Sequence, residues 1–474
     1  MQSVAESLAR LGDLAVSPTV SRLSAAFADA GYELALVGGP VRDALLGRSV
    51  NDLDFTTNAH PDEILRIVKP ISSAQWDIGR AFGTIGARIS GDTVEITTYR
   101  ADSYDGETRK PDVVFGDSLE ADLTRRDFTV NALALRIPEV VLVDPSNGFD
   151  DLLTGVLRTP STPEISFGDD PLRMLRAARF SSQLGFTVDD TTRFAMAELA
   201  ERIRIVSAER VRAELVKLLS TDQPRAGIEL LVHTGLAAEV IPEIPSLMLE
   251  IDEHHHHKDV YQHTLTVLDQ AIGYEHQRHP ATEPDIILRL AALFHDIGKP
   301  ATRRLEPGGT VSFYHHDVVG AKLARKRLRE LKFDNDTIDA VSRLVELHLR
   351  FFGYTEAAWT DSAVRRYVRD AGDQLERLHM LTRADVTTRN RRKADRLGFA
   401  YDDLEERIRL LQLKEELDAV RPDLDGEQVM AILGIRPGRE VGEALHFLLE
   451  LRMDNGPLGE EEATRRLRSW WMQR

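Results

Sequence analysis

Between residues 21 and 158 the chain alternates short apolar runs with helical stretches, whereas from about Asp170 to its end it reads as helix almost without a break. YELALVGG leads into VRDALLG, and TIGARI, TVEITTYR, NALALRI and VVLVD follow. Runs of this length with polar partners between the apolar positions are strand signals, and strands interleaved with helices make a mixed sheet. This texture predicts an α/β head, a mixed sheet with flanking helices, followed by an all-α body. It divides the chain into a head over 1–158, a helical neck over 159–225, a further helical domain over 226–400 and a helical tail over 401–474.

The head's polar residues sit where a phosphate chemistry needs them. ELALVGG ends on Gly38 and Gly39, and Val41-Arg42-Asp43 opens a helix. Glycines at such a turn let backbone amides approach a phosphate, and a helix N-terminus favours its charge. Arg42 adds a guanidinium that can bind phosphate through two parallel bonds. In VNDLDFTT, residues two apart on a strand face the same way, so Asp52 and Asp54 aim two carboxylates at one point. Like charges held that close need a cation, and paired hard oxygens suit Mg²⁺. Glu95, mid-strand among apolar neighbours, reads as an inward-facing third acid whose partner would be the same metal site. Metal ions bridging a triphosphate and an attacking 3′-hydroxyl stabilise both oxygens of an in-line displacement.

LVGGPVRDALLG, NDLDFTT, VEITTYR and LTRRDFTVNALAL, in that order and spacing, resemble the head motifs of the class II tRNA nucleotidyltransferase and bacterial poly(A) polymerase family. The resemblance covers about residues 20–220 and implies transfer of a nucleoside monophosphate from a triphosphate to an RNA 3′ end, with pyrophosphate released. It points to Arg126 as a triphosphate ligand with Asn131 close by. In FGDDPLRMLRAARF, Asp170 before Pro171 makes a good helix start, and Arg173, Arg176 and Arg179 recur along one side of that helix. Asp170 and Arg173 resemble the family's Asp-x-x-Arg, whose side chains stand in for a template. A carboxylate accepts from the amino group that cytosine and adenine share, and Arg donates to the adjacent ring nitrogen. Uracil and guanine present a carbonyl there and leave the carboxylate unpaired, so the expected substrates are ATP and CTP.

The body carries a second constellation: His263, His295 with Asp296, His316, His348 and Asp385, each in an apolar helical context. Imidazole with carboxylate suits a divalent transition metal such as Mn²⁺, Ni²⁺ or Zn²⁺. The set is similar to the HD phosphohydrolase family, whose H…HD…D ligands are matched by His263, His295, Asp296 and Asp385. His316 and His348 look like the extra histidines of a second metal, and Lys299 after HDIG could contact phosphate. The resemblance implies phosphodiester hydrolysis, able to repair damaged 3′ ends before addition; a relic fold kept for tRNA docking stands beside it.

Net charge −17 argues on its face against nucleic acid as partner. The excess is uneven, about −9 over residues 1–150 against −4 over 151–250 and −4 over 251–474. Basic clusters at 171–180, 321–330 and 387–396 fall in the helical body, where tRNA could lie; the other reading of each is a solvated face. With no cysteine there is neither thiol chemistry nor a Cys-ligated metal. No run of 18 apolar residues and no signal-like N-terminus is present, so a cytoplasmic enzyme with no membrane partner is expected. His254–His257 read as native sequence, and the polar segment between Tyr99 and Leu119 as a loop. In the tail, Arg436, Arg439, Arg466, Trp470 and Trp471 either touch RNA or pack a small core.

The leading expectation is template-independent addition of CCA to tRNA 3′ ends. Poly(A) synthesis, or addition of A or CC alone, shares the same head motifs. An HD phosphohydrolase with a nucleotide-sensing head is the reading from another class; three metal carboxylates, which a sensor does not need, argue against it. Oligomeric state is left open.

Overall fold

The computed structural model describes residues 4–50, 52–100, 115–116, 118–248, 259–307, 311–351, 353–354, 359–387, 390–415 and 421–473; most of the expected loop, 101–114 and 117, and the His254–His257 run lie outside them. The chain forms two compact units, Met1–Pro242 and Glu243–Arg474.

The first unit is built on seven strands: β1 (Leu34–Val37), β2 (Leu53–Thr57), β3 (Ala74–Trp76), β4 (Thr84–Ile89), β5 (Asp92–Thr98), β6 (Ala134–Ile137) and β7 (Val141–Val143). Their order is β3-β4-β5-β2-β1-β6-β7. The β2–β5 pair is parallel, and the other neighbours are antiparallel. Central β1 is LALV, buried at all four positions, as a strand covered on both faces must be. In β5, Val94 and Ile96 are buried while Glu95 is exposed. The expectation that Glu95 faces inward is therefore corrected: the period of two that buries its neighbours turns it to the opposite face.

After the sheet the described chain is helical apart from four short strands, three of which interrupt the continuity expected from Asp170 onward. Thr187–Val188 pairs with Val156–Leu157, and Arg304–Leu305 pairs with Val311–Ser312.

In the second unit the helix Ile286–Phe294 is buried from Leu288 through Phe294, the signature of a helix surrounded by others. It packs against Val260–Arg278 and Asn335–Leu347. Arg289 within it is fully buried and ion-paired to Glu275 at 2.9 Å. The tail helices Gly426–Leu433, Arg439–Asn455 and Glu460–Met472 close on a core of Leu424, Val429, Ala444, Leu448 and Leu467. Trp470 stacks on Phe447 at 4.7 Å and belongs to that core, while Arg439 and Arg466 pair with Glu443 and Glu462. The packing alternative therefore describes Trp470. The 321–330 cluster is largely ion-paired as well: Arg325 with Asp339, Arg327 with Glu243 and Glu330, and Lys326 with Glu330.

Candidate active sites of the two units

In the first unit, a cavity of about 590 Å³ is lined by all twelve head and neck residues singled out above: Gly38, Gly39, Arg42, Asp52, Asp54, Glu95, Arg126, Asn131, Asp170, Arg173, Arg176 and Arg179. The backbone arranges this. Asp54 and Glu95 are direct register partners on parallel β2 and β5, and Asp52 precedes β2 by one residue. Gly38 ends β1 with φ +74°, and a Cβ there would stand 3.2 Å from Arg126 Nη1. The left-handed backbone favours glycine there, and a side chain would also press on Arg126. Asp54 is raised to about 6 by burial, with Glu95 and then Asp52 adding to the rise and Arg126 opposing it. A divalent cation among the three acids would reverse that repulsion.

The arginines are oriented by acids that the motif reading did not single out. Asp122, fully buried, accepts from Arg125 Nη2 at 2.7 Å and Arg126 Nη2 at 3.2 Å. Asp127 accepts from Arg176 Nε at 2.7 Å, Asn131 Nδ2 at 3.0 Å and the Phe128 amide at 2.8 Å. Its burial disfavours the charge, but Arg176, Asn131, Arg173 and the Phe128 amide hold its carboxyl down at about 2. Arg42 donates to both oxygens of Asp43 at 2.8 Å and to Asn131 Oδ1 at 2.6 Å. A guanidinium has five N–H bonds, so two remain for a phosphate. Arg42, Arg176 and Arg179 also surround the Phe180 ring, at 5.3, 5.6 and 4.0 Å.

Asp170 and Arg173 reach the cavity held by separate partners. Asp170 Oδ2 accepts from Arg210 Nη2 at 2.8 Å, and its Oδ1 accepts from the Leu172 amide at 3.1 Å. It therefore supports the helix start and lines the cavity at once. Arg173 donates to Ser166 Oγ at 2.8 Å and to the Arg125 carbonyl at 2.6 Å. Arg210 carries no local signal in the sequence, because it meets Asp170 only through the packing of Ala208–Leu219 on Leu172–Leu184.

In the second unit, four imidazoles meet two carboxylates. His263, His295 and Asp385 offer ligand atoms within 4.8 Å of one another, as do Asp296, His316 and His348. Asp296 lies between the sets: Oδ2 is 3.2 Å from His295 Nε2, and Oδ1 is 3.3 Å from His316 Nε2 and 3.9 Å from His348 Nε2. His263 Nε2 is 2.9 Å from Asp385. Each ring is set by its other nitrogen. Nδ1 meets the Ala292 carbonyl in His295, Phe313 in His316, Val345 in His348 and the Thr387 hydroxyl in His263, at 2.6–3.0 Å. Anchoring Nδ1 leaves Nε2 as the ligand atom.

The donors fit a metal. Nε2 of both His316 and His348 is buried without a hydrogen-bond partner, a costly state that a cation would relieve. Burial and the neighbouring His295 hold His348 down at about 4, keeping it neutral as a ligand must be. Gly298 completes the arrangement: a Cβ there would meet the His316 carbonyl at 2.0 Å, so only glycine lets the segment after Asp296 approach that helix end. Lys299 Nζ donates to Asp296 Oδ2 at 2.6 Å.

Models of three families match the chain: the poly A polymerase head domain over residues 34–158, the probable RNA and SrmB-binding site of polymerase A over 185–248, and the HD domain over 260–390. The A-adding tRNA nucleotidyltransferase of Deinococcus radiodurans is 36% identical over 446 residues, spanning 92% of this chain and 95% of that protein. The CC-adding tRNA nucleotidyltransferase of Thermus thermophilus is 32% identical, spanning 92% and 93%. A CCA-adding enzyme of Latilactobacillus sakei is 31% identical, spanning 88% and 89%. The fold is that of the Bacillus stearothermophilus CCA-adding enzyme solved with CTP, at a TM-score of 0.69 and 24% identity over 97% of this chain and all of that one. Among the described residues no helix is long and apolar enough to cross a membrane. Similarity at this level along nearly the whole of both chains places the protein in the tRNA nucleotidyltransferase family.

Proposed function

We propose that the chain adds C, C and A in turn to tRNA 3′ ends from CTP and ATP. The observation that carries this reading is the sharing of one cavity by Asp52, Asp54 and Glu95 with Asp170 and Arg173, so that base choice and transfer face the same nucleotide. Asp52, Asp54 and Glu95 would hold Mg²⁺, which when bound offsets charge on the triphosphate and on the attacking 3′-hydroxyl. Arg42 and Arg126 donate to phosphate oxygens, with Asn131, Arg176 and Arg179 fixing or extending that surface. Glu95 takes the proton of the 3′-hydroxyl as its oxygen bonds to the α-phosphorus and pyrophosphate leaves. Asp170 accepts from the amino group of cytosine or adenine, and Arg173 donates to the ring nitrogen. The division into head 1–158, neck 159–225, HD domain 226–400 and tail 401–474 goes with this reading.

Relatives named for adding A, CC or CCA match at comparable identity, so the product is the point to test. Purified protein with Mg²⁺, labelled nucleotides and tRNA lacking CCA should stop after three additions, C before A. A long A ladder, or a stop after one or two nucleotides, selects poly(A) synthesis or partial addition instead.

A second reading concerns the other unit. The orphaned Nε2 atoms of His316 and His348 favour a two-metal HD site, with His263, His295, Asp296 and Asp385 at one position and Asp296, His316 and His348 at the other. Mn²⁺, Ni²⁺ or Zn²⁺ bound there would activate water toward a phosphate ester, and Lys299 would neutralise the phosphate. Phosphate release from damaged RNA 3′ ends in Mn²⁺, lost in chelator, tests it; no release in any of the three metals leaves a docking fold.

A further inference from the structure

Beside the HD clusters lies a turn that the candidate ligand set uses only at its last residue. Phe313–His316 joins the strand Val311–Ser312 to the helix His316–Glu330, and both ends of the turn are tied to the site. The Phe313 ring lies 5.8 Å from Lys299 Nζ, the amine that bonds Asp296. The Phe313 carbonyl accepts from His316 Nδ1 at 2.8 Å, and His316 Nε2 lies 3.3 Å from Asp296. Tyr314 and His315 thereby lie within two residues of the candidate ligand His316. Both are exposed, Tyr314 by 68%.

His315 has φ +61°, left-handed backbone that glycine adopts freely and a side chain resists. Ser90, Val140, Asn147 and Lys332 share a positive φ among the described non-glycine residues, but His315 alone of the five adjoins a metal-ligand candidate. An imidazole kept at a strained position beside a site, where glycine would relieve the strain, points to use of that imidazole. An exposed phenol ring next to it offers a stacking face, which accepts any nucleobase.

We propose that Tyr314 and His315 form the recognition turn of the HD site: Tyr314 stacks on a nucleobase, and His315 bonds the attached ribose or phosphate. The substrate class is then a phosphate ester borne by a nucleoside, not free pyrophosphate or a generic phosphomonoester. This inference rests on the HD reading above.

Uridine 3′-phosphate is the probe, because a head that selects cytosine and adenine excludes uracil. With the full chain in Zn²⁺ and excess CTP filling the head, saturation-transfer NMR should show the uracil ring protons against protein. Tyr314→Ala should erase that signal and Tyr314→Phe keep it; an undiminished signal in the alanine variant overturns the proposal. In Mn²⁺, Tyr314→Ala should raise the KM for uridine 3′-phosphate relative to that for glycerol 2-phosphate, which has no ring to stack, by about tenfold, the order of one lost stack. Equal rises for both compounds mean a structural role and sink it. A wild-type chain that binds no Zn²⁺ and hydrolyses neither compound breaks the HD reading itself, and the turn's role falls with it.

Discussion

In the head, two acids on neighbouring strands and a third one residue before the strand line a cavity, and the groups around them are cations held by other acids. In the second unit, four imidazoles and two carboxylates already meet, each ring anchored by Nδ1 and aimed by Nε2. Asp54 is raised to about 6 by burial and its two neighbouring acids, whereas Asp385 is held down at about 2, its burial outweighed by His263 and His295. The head is thus completed by what binds it, and the HD site is assembled by the fold. The difference matches the two proposed chemistries: addition must admit a fresh nucleotide and a longer primer at each round, while hydrolysis repeats one act on one phosphate.

The largest expected effects test whether the sites are independent. Asp54→Ala should lower nucleotide addition by at least about a thousandfold, the several kcal/mol supplied by metal stabilisation of the transition state. It should leave the Zn²⁺ or Mn²⁺ content of the protein unchanged. The converse variant, Asp296→Asn, should cut bound transition metal measured by elemental analysis and keep addition within about twofold, since it touches no group in the head. If either variant silences both activities, the two-site description is wrong.

A smaller effect separates the buried acids from those in the open cavity. Asp127 is an orienting group whose folded value of about 2 lies below its ordinary 3.8. Its stabilisation is therefore fully present above pH 3.8 and is lost as pH falls toward 2. The shift corresponds to on the order of 2 kcal/mol. Asp127→Asn should destabilise the first unit by about that amount at pH 7, seen as faster hydrogen exchange in peptides of the sheet and of Leu172–Leu184. The gap to wild type should narrow below pH 4. A gap unchanged down to pH 2.5 would show that Asp127 stays uncoupled from Arg176.

Most of both ligand sets was legible because chemistry and secondary structure repeat locally. The i, i+2 spacing of Asp52 and Asp54, the glycine turn before Arg42, and the His–Asp pair at 295–296 each announce themselves within a few residues. Glu95 was found for a mistaken reason: it lines the cavity from an exposed position, as the register partner of Asp54, and cross-strand pairing leaves no trace in a single strand. Asp127 holds Arg176 through packing that brings segments 49 residues apart together, whereas Asp122 holds Arg125 and Arg126 at local i, i+3 and i, i+4 spacing that the motif reading passed over. The same limit hid the turn at Tyr314 and His315, since the left-handed backbone of His315 is invisible until built.

The subtlest prediction concerns Arg210, forty residues from the acid it holds. Its side chain is 40% exposed, so its ion pair with Asp170 at 2.8 Å should contribute no more than about 1 kcal/mol to stability. Its effect on selection should be larger. Asp170 must present an oxygen to the base amino group at a fixed angle, and Arg210 is the side chain that fixes it. Asp170→Ala removes the acceptor outright and should raise the share of UTP and GTP incorporated more than any other change at this position. Arg210→Ala leaves the acceptor but frees it, and should raise that share about tenfold, the order of one charged hydrogen bond. Arg210→Lys should recover part of the loss, because an ammonium supplies the charge without the forked geometry. Competition between CTP and UTP on the same tRNA, with melting followed in parallel, measures both quantities. If Arg210→Ala costs stability and leaves base choice intact, the pair is a structural tie between two helices, and Asp170 is held in place by the Leu172 amide alone.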